Sequence, residues 1–169
     1  MVLGSTQKGK VVEILIAATC ILGSDGKLSV SVPLVDDEGV DMIFTPKGGG
    51  RSIFVQVKSR FTLKTGRYYR ANIKKKNFLP RENLYIIFAY YDSEKAQLGE
   101  TLWLVPSLDF DKNLKGQRKK QDYIFQSGFT SQDMWEPFRL KLSDLPQRIL
   151  TLLRTYKDSM PSKKADNTV

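Results

Sequence analysis

Three consecutive glycines, Gly48 to Gly50, stand between two short runs whose apolar residues recur at every second position. Val40, Met42 and Phe44 fall on one side of an extended chain, and Ile53, Val55 and Val57 fall on one side of another. With Pro46 and Lys47 the glycines form a turn signal, so the segment reads as a β-hairpin. If both apolar faces belong to one core, Asp41, Gln56 and Lys58 emerge together on the opposite side. A loop centred near Gly48 and Gly49 places Asp41 roughly opposite Gln56, with Lys58 two residues further along the same face. One carboxylate, one amide and one ammonium then converge.

The elements around the hairpin follow from local patterning. Residues from about Lys10 to Leu22 are rich in Ile, Leu and Ala and predict a helix, apolar on almost every side, with Gly23 in the usual stop position. Asp25-Gly26 marks a turn, and Leu28, Val30 and Val32 alternate with serines in the period of a half-buried strand. Further on, the residues predict a short helix around Ile73 to Leu79, a buried strand from Leu84 to Tyr91, and another from Thr101 to Val105. A helical turn is expected from Ser107 and a late strand at Tyr123 to Phe125. The spacing of Leu145, Ile149, Leu152 and Leu153 predicts an amphipathic helix over Ser143 to Tyr156, with Ser143 as its N-cap. The chain of 169 residues is long enough for one well-packed core and short for two. Residues 1–156 are therefore expected to form a single α/β domain, and 157–169 a polar, aperiodic and disordered tail.

Glu13 is the sole charge between Lys10 and Gly23. A buried carboxylate is costly, so it calls for a cation, a metal ion or a raised pKa. Histidine is absent altogether, which removes Ser-His-Asp and Cys-His catalysis together with the usual zinc sites. Catalysis, if this chain performs any, must run on carboxylates and lysine, with or without a hard metal ion. The one cysteine, Cys20, has apolar neighbours and reads as a buried thiol in a reducing compartment. No apolar run approaches the roughly 20 residues of a membrane span, and Gly4 to Lys8 stand where a signal peptide would be apolar. A cytoplasmic protein is the expectation.

Net charge is +9, and it has a location. Nine basic residues (Lys58, Arg60, Lys64, Arg67, Arg70, Lys74, Lys75, Lys76 and Arg81) and no acidic one lie between Lys58 and Arg81. Without those nine, the remaining 18 basic residues balance the 18 acidic ones. Such a segment suits nucleic acid, because lysine and arginine neutralise phosphates and release counterions. Its aromatics Phe61, Tyr68, Tyr69 and Phe78 could stack on bases or fill the core, with the core expected for at least two. A second group, Lys112, Lys115, Arg118, Lys119 and Lys120, reads as a loop able to touch the backbone of a nucleic acid.

The order Glu13 in a first helix, Asp41 after a strand and turn, and Gln56-Val57-Lys58 on the next strand resembles the PD-(D/E)XK, or restriction-endonuclease-like, nuclease superfamily. It is similar to the branch, as in Mrr-like enzymes, in which glutamine replaces the acid before X-Lys. Gly39-Val40 stands where the superfamily's name places proline, and Asp37 is better placed by parity than Glu38 to share the face of Asp41. The resemblance implies a central mixed β-sheet flanked by helices. It also implies a Mg²⁺ or Mn²⁺ held by Asp41, the backbone carbonyl of Val57, and Gln56 or Glu13 directly or through water. Lys58 would orient and help deprotonate the attacking water, giving phosphodiester hydrolysis of DNA of restriction or repair type. Arg60, Lys64, Arg67, Arg70, Lys74, Lys75 and Lys76 would contact the DNA. A homodimer would supply the two active sites needed to cut both strands. Each residue also has a plainer reading: Asp41 as a turn terminator, Gln56 as polar alternation, Lys58 as a strand-end cation. On that reading the chain is a nucleic-acid-binding module without cleavage.

Overall fold

The structure, a computed structural model, describes residues 4–34, 38–63, 68–114 and 121–158. Helix α1 spans Ser5–Gly23, and strands β1 (Leu28–Ser31), β2 (Met42–Pro46) and β3 (Ile53–Arg60) follow it. Next come β4 (Tyr68–Lys74), β5 (Leu84–Asp92), β6 (Gln97–Pro106), α2 (Ser107–Asn113), β7 (Asp122–Gly128), β8 (Arg139–Lys141) and α3 (Leu145–Asp158). Six strands form one sheet in the order β1-β2-β3-β5-β6-β8, antiparallel throughout except for the parallel pair β3 and β5. This is the expected mixed sheet.

Parallel neighbours need a crossover, which is usually a helix. Here the connection carries β4, which pairs antiparallel with β7 as a separate two-stranded ribbon. The helix expected over Ile73 to Leu79 is therefore the end of a strand and a 3₁₀ turn at Lys75–Asn77. Alternation across β4 explains the outcome, since Tyr69, Ala71 and Ile73 are buried while Asn72 and Lys74 are exposed. The late strand β7 forms as expected and extends further on both sides.

Two cores lie on the two faces of the main sheet. On one face Val12, Ile16 and Cys20 of α1, one stripe at helical spacing, pack with Leu145, Ile149 and Leu153 of α3 on Met42, Phe44, Val55 and Val57. On the other, the ribbon and α2 cover Ile86, Phe88, Trp103 and Val105. The rings of Phe88 and Phe125 stack there at 3.7 Å between centroids and 9° between planes. Helices thus flank both faces, and the ribbon shares one of them with α2.

Several boundaries move for identifiable reasons. Helix α1 begins at Ser5 rather than near Lys10, since Gly9 does not interrupt it. Gly23 ends α1, but the left-handed residues are Asp25 and Gly26. What Gly23 provides is proximity, because a Cβ there would lie 2.6 Å from Cγ of Pro146. Ser143 caps no helix: its hydroxyl donates to Asp144, and Leu142–Asp144 is a 3₁₀ turn leading into α3. Helix α3 continues to Asp158, and the rest of the expected tail, 159–169, lies outside the described residues. Among the described residues no helix is long and apolar enough to cross a membrane.

Candidate active site on the β2–β3 hairpin

Met42 pairs with Val55, Ile43 with Phe54 and Phe44 with Ile53. The paired register ends there, and Asp41 lies just outside it, so the opposition of Asp41 to Gln56 expected from alternation is not part of the ladder. The ladder then changes character. The Asp41 amide donates to the Val55 carbonyl at 2.9 Å, one residue out of step, and Oδ2 of Asp41 accepts the Val57 amide at 2.6 Å. A side-chain carboxylate has replaced the next main-chain carbonyl of β2 as the partner of β3. The charge-assisted bond holds it at the strand edge. Because the N–H and C=O of one strand residue point to the same edge, the Val57 carbonyl is turned toward Asp41 as well.

Gly39 makes this departure possible. It has φ +69°, and a Cβ there would meet Nε2 of Gln56 at 2.4 Å. Val40, expected beside Met42, is carried over to the second core with Ile86 and Phe88. Gln56 itself is 8% exposed, and its Oε1 is buried with no hydrogen-bond partner among the described residues. Leaving a buried acceptor unsatisfied costs about 1–3 kcal/mol. The amide oxygen is held here against that cost.

Lys58, half-buried, shares the parity of Gln56, and no ion pair engages its ammonium among the described residues. Its carbonyl accepts the hydroxyl of Tyr69, which ties β4 to β3 at the candidate site. Burial pushes the Tyr69 phenol far above its ordinary value, so it serves as a neutral donor.

Glu13 is engaged within its own helix. Its side chain is 14% exposed and its carboxylate is paired with Nζ of Lys10 at 2.5 Å. The cation that a buried Glu13 calls for is thus supplied by α1 itself, on the helix-covered face. Nearby, Lys8 stands over the Phe61 ring at 5.4 Å, which brings the start of α1 close to the end of β3. The hairpin therefore joins Asp41 to Val57, which Gln56 and Lys58 flank on β3, and Glu13 is paired with Lys10. Asp37 lies outside the described residues.

The donor set is oxygen-rich but carries little charge. Among the described residues no three Asp, Glu, His or Cys side chains converge to hold a metal ion. The hairpin offers instead one carboxylate, one unsatisfied amide oxygen and one main-chain carbonyl. All are hard oxygen donors of the kind Mg²⁺ accepts alongside water and phosphate.

The basic segment divides after folding. Arg60, Lys74 and Lys76 are exposed, Arg70 and Lys75 half-buried, and Lys64 and Arg67 lie outside the described residues. Lys75 stands 4.6 Å from the Tyr123 ring centroid, and Arg81 pairs with Glu38 at 2.7 Å. Of the aromatics, Tyr69 and Phe78 are core, Phe61 is half-buried and Tyr68 is exposed. Of the second basic group, Lys112 is exposed on α2 and the other four lie outside the described residues. Sequence alone names Gly39 and Tyr69 without the roles they take here. A glycine two residues before the aspartate was a signal for the first; the second depends on the pairing of β4 with β7, which no local pattern encodes.

An α/β domain with a mixed sheet, helices on both faces and an acid-amide-lysine hairpin is the class that this architecture defines. Among solved structures, that of a bacterial homing endonuclease, I-Ssp6803I, is similar to it with a TM-score of 0.57 and 14% identity, covering 94% of this chain and 100% of that one. At that identity the likeness is one of fold. Neither a protein-family model nor a curated protein matches the sequence.

Proposed function

We propose that the chain is a metal-dependent DNA endonuclease whose site is the β2–β3 hairpin. One observation carries the reading: the Gln56 carbonyl oxygen is buried without a hydrogen-bond partner among the described residues, one residue before the Val57 amide that bonds Asp41. A fold that stabilised only itself would gain by satisfying that oxygen or replacing it with an apolar group. The similarity to a homing endonuclease over nearly the whole chain supports a DNA substrate.

Asp41, Gln56 and the Val57 carbonyl would hold Mg²⁺ or Mn²⁺, with Glu13 joining directly or through water. When bound, the ion polarises the scissile phosphate and lowers the pKa of a coordinated water. Asp41 is fixed by the bond it accepts from the Val57 amide. Lys58 places its ammonium beside the phosphate, orients the attacking water, and stabilises the negative charge that grows as the leaving oxygen departs. Arg60, Lys64, Arg67, Arg70, Lys74, Lys75 and Lys76 neutralise phosphates on either side. The test is cleavage of plasmid and branched DNA with Mg²⁺ or Mn²⁺, comparing the wild type with Asp41→Ala and Lys58→Ala. Loss of cleavage in both is expected. Equal cleavage by all three proteins overturns the assignment, and binding without cleavage by the wild type marks a non-catalytic module.

Cutting both strands calls for two sites, and α1 offers a surface for a second copy. Its outer side exposes Ile14 at 60% and Leu22 at 78%, with Val11 and Ile21 at 39% each. Two such uncharged stripes can bury each other in an isologous dimer.

A further inference from the structure

The ribbon of β4 and β7 is apolar on one face only. Tyr69, Ile73, Tyr123 and Phe125 are buried against the main sheet. Residues of the opposite parity point away, and the register sets Arg70 beside Gln126 and Asn72 beside Ile124. We propose that this outward face lies in the major groove of duplex DNA and that Arg70, Asn72 and Gln126 read base edges there. The choice of DNA as ligand rests on the nuclease reading; the choice of these residues rests on the ribbon.

Shape is the first argument. The major groove is about 12 Å wide and admits a two-stranded ribbon, whose strands lie about 4.8 Å apart. Successive outward residues on one strand are about 6.7 Å apart, close to two base-pair rises of about 3.4 Å.

The second argument is chemical. A face that only neutralised phosphates would be served by lysine. Here the central positions are a guanidinium and two amides, and the amides gain nothing from phosphate charge. Arginine matches the two acceptors of guanine, and asparagine or glutamine matches the acceptor and donor of adenine. Ile124, half-buried on the same face, is suited to a thymine methyl. The one acidic residue on this face, Asp122, sits at the ribbon's end across from Lys74.

Availability and placement complete the case. Asn72 and Gln126 are exposed and Arg70 half-buried. None of the three side chains is held by an ion pair among the described residues. The ribbon is also tied to the candidate catalytic strand at two points. Tyr69 donates to the Lys58 carbonyl, and Nε of Arg60 donates to the Arg70 carbonyl at 2.7 Å. A base read by the ribbon is thereby set at a fixed distance from Lys58.

The experiment is selection from a duplex library with a randomised central segment, with Ca²⁺ in place of Mg²⁺, followed by competition binding. The wild type should enrich a defined sequence. Asn72→Ala and Gln126→Ala should each lose preference at one or two adjacent positions, with discrimination falling about tenfold or more. Their melting temperatures and affinity for unrelated duplex should stay as in the wild type. Arg70→Ala should do the same at a further position, with some loss of general affinity. No preference in the wild type, or variants that bind more weakly with the preference intact, overturns the proposal. Cleavage by the wild type together with an unchanged preference in the variants overturns the ribbon reading alone. A ribbon-dependent preference without cleavage under Mg²⁺ or Mn²⁺ overturns the nuclease reading alone.

Discussion

Gln56 can be tested separately as a structural and as a functional residue. Gln56→Leu removes an unsatisfied buried oxygen, so the metal-free protein should be as stable as the wild type or up to about 1 kcal/mol more stable in urea titration, while cleavage is lost. Gln56→Glu sets a buried carboxylate near half-buried Asp41. Its melting temperature should fall in EDTA and recover with Mg²⁺ to a greater degree than the wild type's. A melting temperature indifferent to Mg²⁺ in both would remove metal from the site. Gly39→Ala combines a left-handed φ with a clash against Gln56 and should cost about 1–3 kcal/mol in the same titration. Cys20 gives a pH signature. Burial pushes its thiol up from 9.0 to about 12, so the folded state keeps a proton that the unfolded chain releases. The resulting stability is whole below pH 9 and lost as pH rises toward 12. Denaturation across that window should show the wild type losing more stability than Cys20→Ala. At this scale alternation alone made the shared parity of Gln56 and Lys58 legible, since it depends on one strand. The Asp41-Val57 bond was not, because it arises where the strand leaves the regular pattern.

Elements differ in how far local sequence decides them. Helix α1 was legible as a helix, but its even apolarity could not say which stripe meets the sheet. The structure assigns Val12, Ile16 and Cys20 to the core and leaves Ile14 and Leu22 outside. If the outer stripe joins two copies, Ile14→Glu should give a monomer by light scattering with the melting temperature of the fold retained. Segment Ile73 to Leu79 was misread as a helix because pairing with β7 holds Ile73 and Lys74 in the ladder, which no local propensity reports, and leaves only a 3₁₀ turn at Lys75–Asn77. The short strand β8 also went unread; it forms on the edge of β6, where Leu102 pairs with Leu140. Phe125 is the ribbon's main anchor, packed on Phe88, Tyr69, Trp103 and Trp135. Phe125→Ala should cost about 3–5 kcal/mol in chemical denaturation.

At the scale of the molecule, the charge excess begins on the strand that bears Lys58 and continues into the ribbon. Affinity for nonspecific duplex should fall linearly on a logarithmic salt scale, with a slope of about 0.9 for each phosphate neutralised. Lys74→Glu should reduce that slope by about one or more, and Lys141→Glu, exposed on β8 at the far edge of the sheet, should leave it unchanged.

The sequence alone determined the elements that report their environment through periodicity and the position of the charge. It also determined that one hairpin joins the segment of Asp41 to the strand of Gln56, since a single turn links them. Tertiary structure decided what depends on residues distant in the chain. It brought β4 against β7, buried Tyr69 so that its hydroxyl reaches the Lys58 carbonyl, and left the Gln56 oxygen without a partner among the described residues. The physical reason is that periodicity reports which side of an element avoids water. It carries no information on which other element excludes that water, nor on which buried polar atom finds a partner there.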